Sequence, residues 1–87
     1  MISREEYLLT CLSEEASEII QRASKVIRFG FDGIEQGQRL TNRERLRAEL
    51  TDLLALVAML NDECDLEYTT DQTAIRAKIA KVETYYQ

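Results

Sequence analysis

SREEYLLTCLSEEASEIIQRASKVIRFG, residues 3–30, decides the fold. Leu8, Leu12, Ala16, Ile19, Ala23 and Val26 recur at steps of three and four residues, the period of one helical face. Ser3 followed by Glu6 three residues later is a capping-box pattern. Gly30 is a natural stop, and Lys25 and Arg28 suit the negative end of a helix. The spacing predicts a helix over 4–29. Working outward, residues 31–42, FDGIEQGQRLTN, hold two of the three glycines and read as a loop. Thr41 with Glu44 is a second capping box. Leu46, Leu50, Leu53, Val57 and Leu60 follow as an apolar stripe, widened by Leu54 and Leu56, which predicts a helix over 43–66. Thr70 or Asp71 caps a third helix over 71–86, with Ala74, Ile75, Ile79 and Val82 on its apolar face. No segment reads as a strand, and hairpin turn pairs are absent. The expected fold is all-α: one domain over 1–87, an antiparallel helical bundle of three main helices completed by oligomerisation.

The length supports that last clause. A chain of 87 residues buries only about 60–65% of its unfolded surface and is marginal alone. With no His in the sequence, imidazole metal sites and every Ser-His or Cys-His arrangement are excluded. Sixteen acids against eleven bases give a net charge of −5, which argues against a nucleic-acid coat and against an anionic membrane surface. Apolar residues make up 45%, too many for a disordered chain. No apolar run nears the roughly 18 residues of a membrane span. Met1–Glu6 leads into no long apolar stretch, so a secretory signal is not expected and a cytoplasmic location is. Cys11 and Cys64 read as small buried thiols, with a disulfide or reactive thiol as the alternative.

Three acids, Glu14, Glu15 and Glu18, stand within five residues of the first helix. Glu14 and Glu18 form an i,i+4 like-charge pair, which costs helix stability. Glu15 lies three residues after Leu12 and four before Ile19, on the edge of the apolar stripe, and Glu18 continues that line. Glu49 and Asp52 repeat the spacing in the second helix, with Glu49 between Leu46 and Leu53. Two such helices packed antiparallel bring two carboxylate pairs together. Uncompensated, each buried ion costs several kcal/mol. A divalent cation is the simplest compensation, and an all-oxygen donor set selects Mg²⁺, or Mn²⁺. A di-iron site of the Glu-x-x-His kind is excluded by the missing His. The alternative is a solvated face: Ser13 capping a helix that starts at Glu14, and Glu44, Glu49 and Asp52 paired with Arg43, Arg45 and Arg47. Against it, Leu8, Leu9 and Leu12 carry the stripe upstream of Ser13.

Glu14-Glu15-Ala16-Ser17-Glu18 followed by Glu49-Leu50-Thr51-Asp52 resembles the E-E-x-x-E … E-x-x-D signature of the MazG-like, all-α nucleoside triphosphate pyrophosphohydrolases, and particularly their small, phage-type members. The resemblance covers residues 5–62. Thirty residues separate Glu18 from Glu49, slightly more than is usual for that family, and the excess falls in the loop. The resemblance implies Mg²⁺-dependent cleavage of an NTP or dNTP to the monophosphate and pyrophosphate, a house-cleaning activity on the nucleotide pool. It implies Glu15, Glu18, Glu49 and Asp52 as metal ligands. Glu14 and Glu15 would be the catalytic acids, Glu14 supporting the site or orienting the attacking water. It also implies a homo-oligomer, dimer or tetramer, whose bundles are shared between chains.

The line Glu15, Glu18, Arg22, Lys25 steps by three, four and three residues along one face. Lys25 lies roughly 10 Å beyond Glu18 at 1.5 Å per residue, and Arg28 is next. Lys25 and Arg28 are therefore candidate contacts for substrate phosphates, or else simple complements to the helix dipole. Arg22, four residues after Glu18, reads as an intrahelical ion pair. Lys78, with Lys81, is a further phosphate candidate on the third helix, or part of a solvated face. Tyr85 and Tyr86 stack on a base or pack at an oligomer contact. The competing function is a non-catalytic helical oligomer or adaptor whose acidic face binds a basic partner.

Overall fold

The computed structural model describes residues 1–86. It contains three helices, α1 (Arg4–Phe29), α2 (Asn42–Cys64) and α3 (Gln72–Tyr85), with no strand among the described residues. Both expected capping boxes are present. The Ser3 hydroxyl accepts from the Glu6 N–H at 3.0 Å and the Glu6 carboxylate accepts from the Ser3 N–H at 3.4 Å. The Thr41 hydroxyl accepts from the Glu44 N–H at 3.1 Å, and Glu44 accepts from the Thr41 N–H at 3.0 Å. Each box satisfies donors that a helix start leaves orphaned.

α1 stops where expected. Gly30 takes φ 84° and donates to the Val26 carbonyl at 2.8 Å, in a backbone region that costs Gly little. The other two helices differ in their bounds from the sequence expectation. α2 runs 42–64 rather than 43–66, because Asp65 adopts a left-handed conformation, φ 52° and ψ 41°, and ends it two residues early. α3 runs 72–85 rather than 71–86, because Asp71 is its cap, accepting from the Ala74 N–H at 3.1 Å.

α1 and α2 pack on one another. Near the start of α1, the Arg4 guanidinium makes two hydrogen bonds to the Glu63 carboxylate near the end of α2, at 2.7 and 3.1 Å. At the other end, the Asn42 side chain, first in α2, donates to the carbonyl of Gly30 at 3.1 Å. Leu8 and Leu60 are the fully shielded apolar residues among those described. Each is about one turn from the Arg4–Glu63 pair, so the densest core lies at that end. Leu12, Ile19, Val26, Leu46, Leu53 and Val57 continue the seam half-buried. The widened stripe of α2 is not covered within the chain, since Leu50 and Leu54 remain exposed.

The loop between α1 and α2 is tied back to both helices. The Asn42 N–H donates to the Gly33 carbonyl at 2.8 Å and the Arg43 N–H to the Phe31 carbonyl at 2.9 Å. A Cβ at Gly33 would meet the Phe29 carbonyl oxygen at 2.6 Å, so the close approach requires Gly.

α3 contacts neither α1 nor α2, and all its residues are exposed. The expected three-helix bundle is therefore not closed within one chain. Left-handed residues at Asp65 and Glu67 turn the backbone out of α2. The Asn61 side chain then holds the backbone of Tyr68, donating at 2.9 Å and accepting at 2.8 Å. The chain measures 38 × 37 × 16 Å. A helix with its side chains is about 10–12 Å across, so this is close to a single layer. Domains normally close a core between two layers. Among the described residues no helix is long and apolar enough to cross a membrane.

Candidate metal centre

Glu15, Glu18 and Glu49 meet between α1 and α2. Each offers a carboxylate oxygen, and these oxygens lie within 4.8 Å of one another. Glu15 and Glu49 are half-buried and Glu18 is exposed. One oxygen of Glu15 and one of Glu49, Oε2 in both, is buried without a hydrogen-bond partner. Buried carboxylate oxygens left unpaired are costly. The Glu49 carboxylate, by hydrogen bond and by charge, raises the pKa of Glu18, with burial and Asp52 adding to it and Arg22 opposing. A hard divalent cation fits this set: all donors are oxygen, two are orphaned, and like charges are pressed together.

The other expected site residues are placed unequally. Asp52 is exposed and outside the three-carboxylate group, although its charge acts on Glu18. Glu14 is exposed and also outside it. Lys25 pairs with Glu35 of the loop at 2.8 Å, and its ammonium lies 5.7 Å from the centre of the Phe29 ring. Arg28 is exposed, its guanidinium 5.0 Å from the same ring. Lys78 sits on α3, which approaches neither of the other helices, so the fold of one chain does not bring it to the carboxylates. Tyr85 and Tyr86 are exposed.

Sequence reasoning missed Glu35, and it read Arg45 only as a partner for acids of its own helix. Glu35 receives Lys25 at 2.8 Å and Arg45 at 2.6 Å, with Arg22 at 3.9 Å. The Arg22 contact is one of charge alone, because its buried Nη1 has no hydrogen-bond partner. Arg22 therefore turns to the loop rather than forming the simple pair with Glu18. Hydrogen bonds from Lys25 and Arg45 pull Glu35 down to about 2. A signal for Arg45 was present. Asp52, Glu49, Arg45 and Asn42 step by three, four and three, which mirrors Glu15, Glu18, Arg22 and Lys25 in reverse. Glu35 had no such signal, because a loop residue has no period. Beside this network a cavity of about 240 Å³ is lined by Lys25, Phe29, Gly33, Ile34, Glu35 and Asn42, among others.

The two anionic groups respond to acid in opposite senses. Glu35 is depressed, so it stabilises the fold above its ordinary value near 4.5 and that contribution is lost as pH falls toward about 2. Glu18 is raised, so its contribution is present below 4.5 and is lost as pH rises through its folded value. Acidifying the metal-free protein from pH 5 to 2 is expected to release the loop from Lys25 and Arg45. Protection of the amides over residues 31–40, relative to the intrinsic exchange rate at each pH, should then fall before that around Glu18 and Glu49. Protection lost first around the carboxylates would contradict the assignment.

Cys11 and Cys64 are free and half-buried. Burial, then the charges of Glu5 and Glu63, raises the Cys64 thiol, which suits an inert thiol rather than a nucleophile. Comparison with protein-family models, with curated proteins and with solved structures finds no match for this chain.

Proposed function

We propose that this chain is a Mg²⁺-dependent nucleoside triphosphate pyrophosphohydrolase of the MazG-like kind, working as a homo-oligomer. The meeting of Glu15, Glu18 and Glu49 within 4.8 Å, from two helices, carries the reading. Local sequence alone would be satisfied by three solvated acids. Instead two of them keep a buried, unpaired oxygen.

In this reading Glu15, Glu18 and Glu49 would hold Mg²⁺, or Mn²⁺, and Asp52, whose charge already acts on Glu18, would be a fourth ligand. When bound, the cation neutralises phosphate charge and lowers the pKa of water, which supplies a nucleophile without a His base. Glu14 orients the attacking water. Water adds at phosphorus and gives up its protons to solvent and the product phosphates, the P–O bond between the α and β phosphates breaks, and monophosphate and pyrophosphate leave. Lys25 and Arg28 lie on the same helix beyond the carboxylates and attract the phosphates, Lys25 after exchanging its partner Glu35. Lys78 takes part only if another chain brings α3 to the site.

The oligomer belongs to the same proposal. α1 and α2 form an antiparallel pair, and a second copy supplies the layer that a 16 Å slab lacks. Exposed Leu50, Leu54, Ile75, Ile79 and Val82 are the surface available for it. The deciding experiment incubates the protein with canonical and modified NTPs and dNTPs, with and without Mg²⁺, and scores monophosphate plus pyrophosphate. Turnover that depends on Mg²⁺ is expected. A complete absence of turnover, with no rise in melting temperature on adding Mg²⁺, would favour the non-catalytic adaptor.

A further inference from the structure

We propose that Arg22, Lys25 and Arg45 form an oxyanion site, and that Glu35 is its internal occupant, a loop carboxylate that a phosphate or pyrophosphate group displaces. The identity of the displacing anion rests on the pyrophosphohydrolase reading; the site itself does not.

Three cations from two helices converge on one carboxylate, at 2.8, 2.6 and 3.9 Å. Glu35 is the one carboxylate within ion-pair distance of all three, while the charge of Arg22 also acts on Glu18. Arg22 is the least satisfied of them: its side chain is 12% exposed, yet its buried Nη1 has no hydrogen-bond partner. A carboxylate has two oxygens to share among three cationic groups. Pyrophosphate has more oxygens and more charge, and the planar guanidinium forks of Arg22 and Arg45 suit phosphate oxygens.

Position supports the same occupant. Arg22 follows Glu18 by four residues and Arg45 precedes Glu49 by four, so the cations lie one turn, roughly 6 Å, along each helix from the carboxylates. An anion in place of the Glu35 carboxylate is thus next to the cluster that would hold Mg²⁺. Glu35 can leave without unfolding the helices. Its side chain is 34% exposed, and it sits on the connection between α1 and α2, with a cavity of about 240 Å³ beside it. While Glu35 occupies the site, the apparent affinity for an external anion is reduced by the fraction of molecules in which the cations are free. For a pyrophosphohydrolase this keeps product pyrophosphate from remaining bound.

Inorganic pyrophosphate, titrated by calorimetry into the full chain without divalent ions, reads this site independently of hydrolysis. Glu35→Gln is expected to bind it about fivefold more tightly than wild type. Arg45→Gln is expected to bind it about tenfold more weakly. Equal or weaker binding by a folded Glu35→Gln overturns the proposal, since a carboxylate that merely staples the loop would give that result. If Glu35→Gln disturbs the fold, the wild-type protein decides. Its Glu35 carboxyl-carbon NMR signal should move as pyrophosphate is added, and an unmoved signal at excess pyrophosphate overturns the proposal. Loss of this result with Mg²⁺-dependent hydrolysis intact condemns the oxyanion site alone. Pyrophosphate binding without hydrolysis condemns the enzymatic reading alone.

Discussion

Glu49→Gln is expected to lower Mg²⁺-dependent pyrophosphate release by about 10²-fold or more, while raising the melting temperature of the metal-free protein. The two effects share one cause. Glu49 is the main group acting on Glu18 and has a buried, unpaired oxygen of its own. Removing its charge relieves the repulsion that a bare cluster bears. It also removes a proposed ligand from the only three-carboxylate group found among the described residues. If the proposed Mg²⁺ site is this cluster, millimolar Mg²⁺ should stabilise wild type by binding to the folded state alone, and the variant should lose most of that stabilisation. Thermal melts with and without Mg²⁺, run beside the turnover assay, check both signs. A variant that keeps the Mg²⁺ response and the activity would show that the centre lies elsewhere.

Ile79→Glu is expected to reduce the proposed oligomer to single chains of 10.1 kDa and to cut stability sharply. Ile75, Ile79 and Val82 fall on one face of α3 and are 39%, 57% and 55% exposed. No other helix of the chain covers them. Burying such side chains against a second copy yields about 1.5–3 kcal/mol for each one fully shielded. A carboxylate at the middle position forfeits that and adds desolvation. A chain whose own shielded apolar core is Leu8 and Leu60 has little stability to spare. Sedimentation at micromolar concentration measures the mass, and circular dichroism measures the melt. An unchanged mass for Ile79→Glu would remove α3 from the interface, and a monomeric wild type would remove the oligomer.

The candidate site was half legible in the sequence. Glu15 and Glu49 could be picked out because each sits within an apolar stripe at helical spacing, and Glu18 because it lies three residues further along the line of Glu15. Asp52 and Glu14 follow the same spacing, yet neither side chain enters the group. An i,i+3 step puts a residue near a neighbour but does not set where its carboxylate points. Lys25 was found on its line, but its partner was not. Glu35 meets it from a loop whose path depends on tertiary ties such as Asn42 to Gly30.

What the sequence by itself determined is local: three helices, two capping boxes and the Gly30 stop, each written within a few neighbouring residues. Tertiary structure alone decided the rest. The register of α1 against α2 sets Glu18 beside Glu49 and brings Arg22 and Arg45 to one carboxylate. The turn at Asp65 and Glu67 leaves α3 uncovered. A helix forms from interactions four residues apart, whereas register and docking depend on contacts between residues 12 to 59 apart, such as Asn42 with Gly30 and Arg4 with Glu63, and no local spacing encodes that.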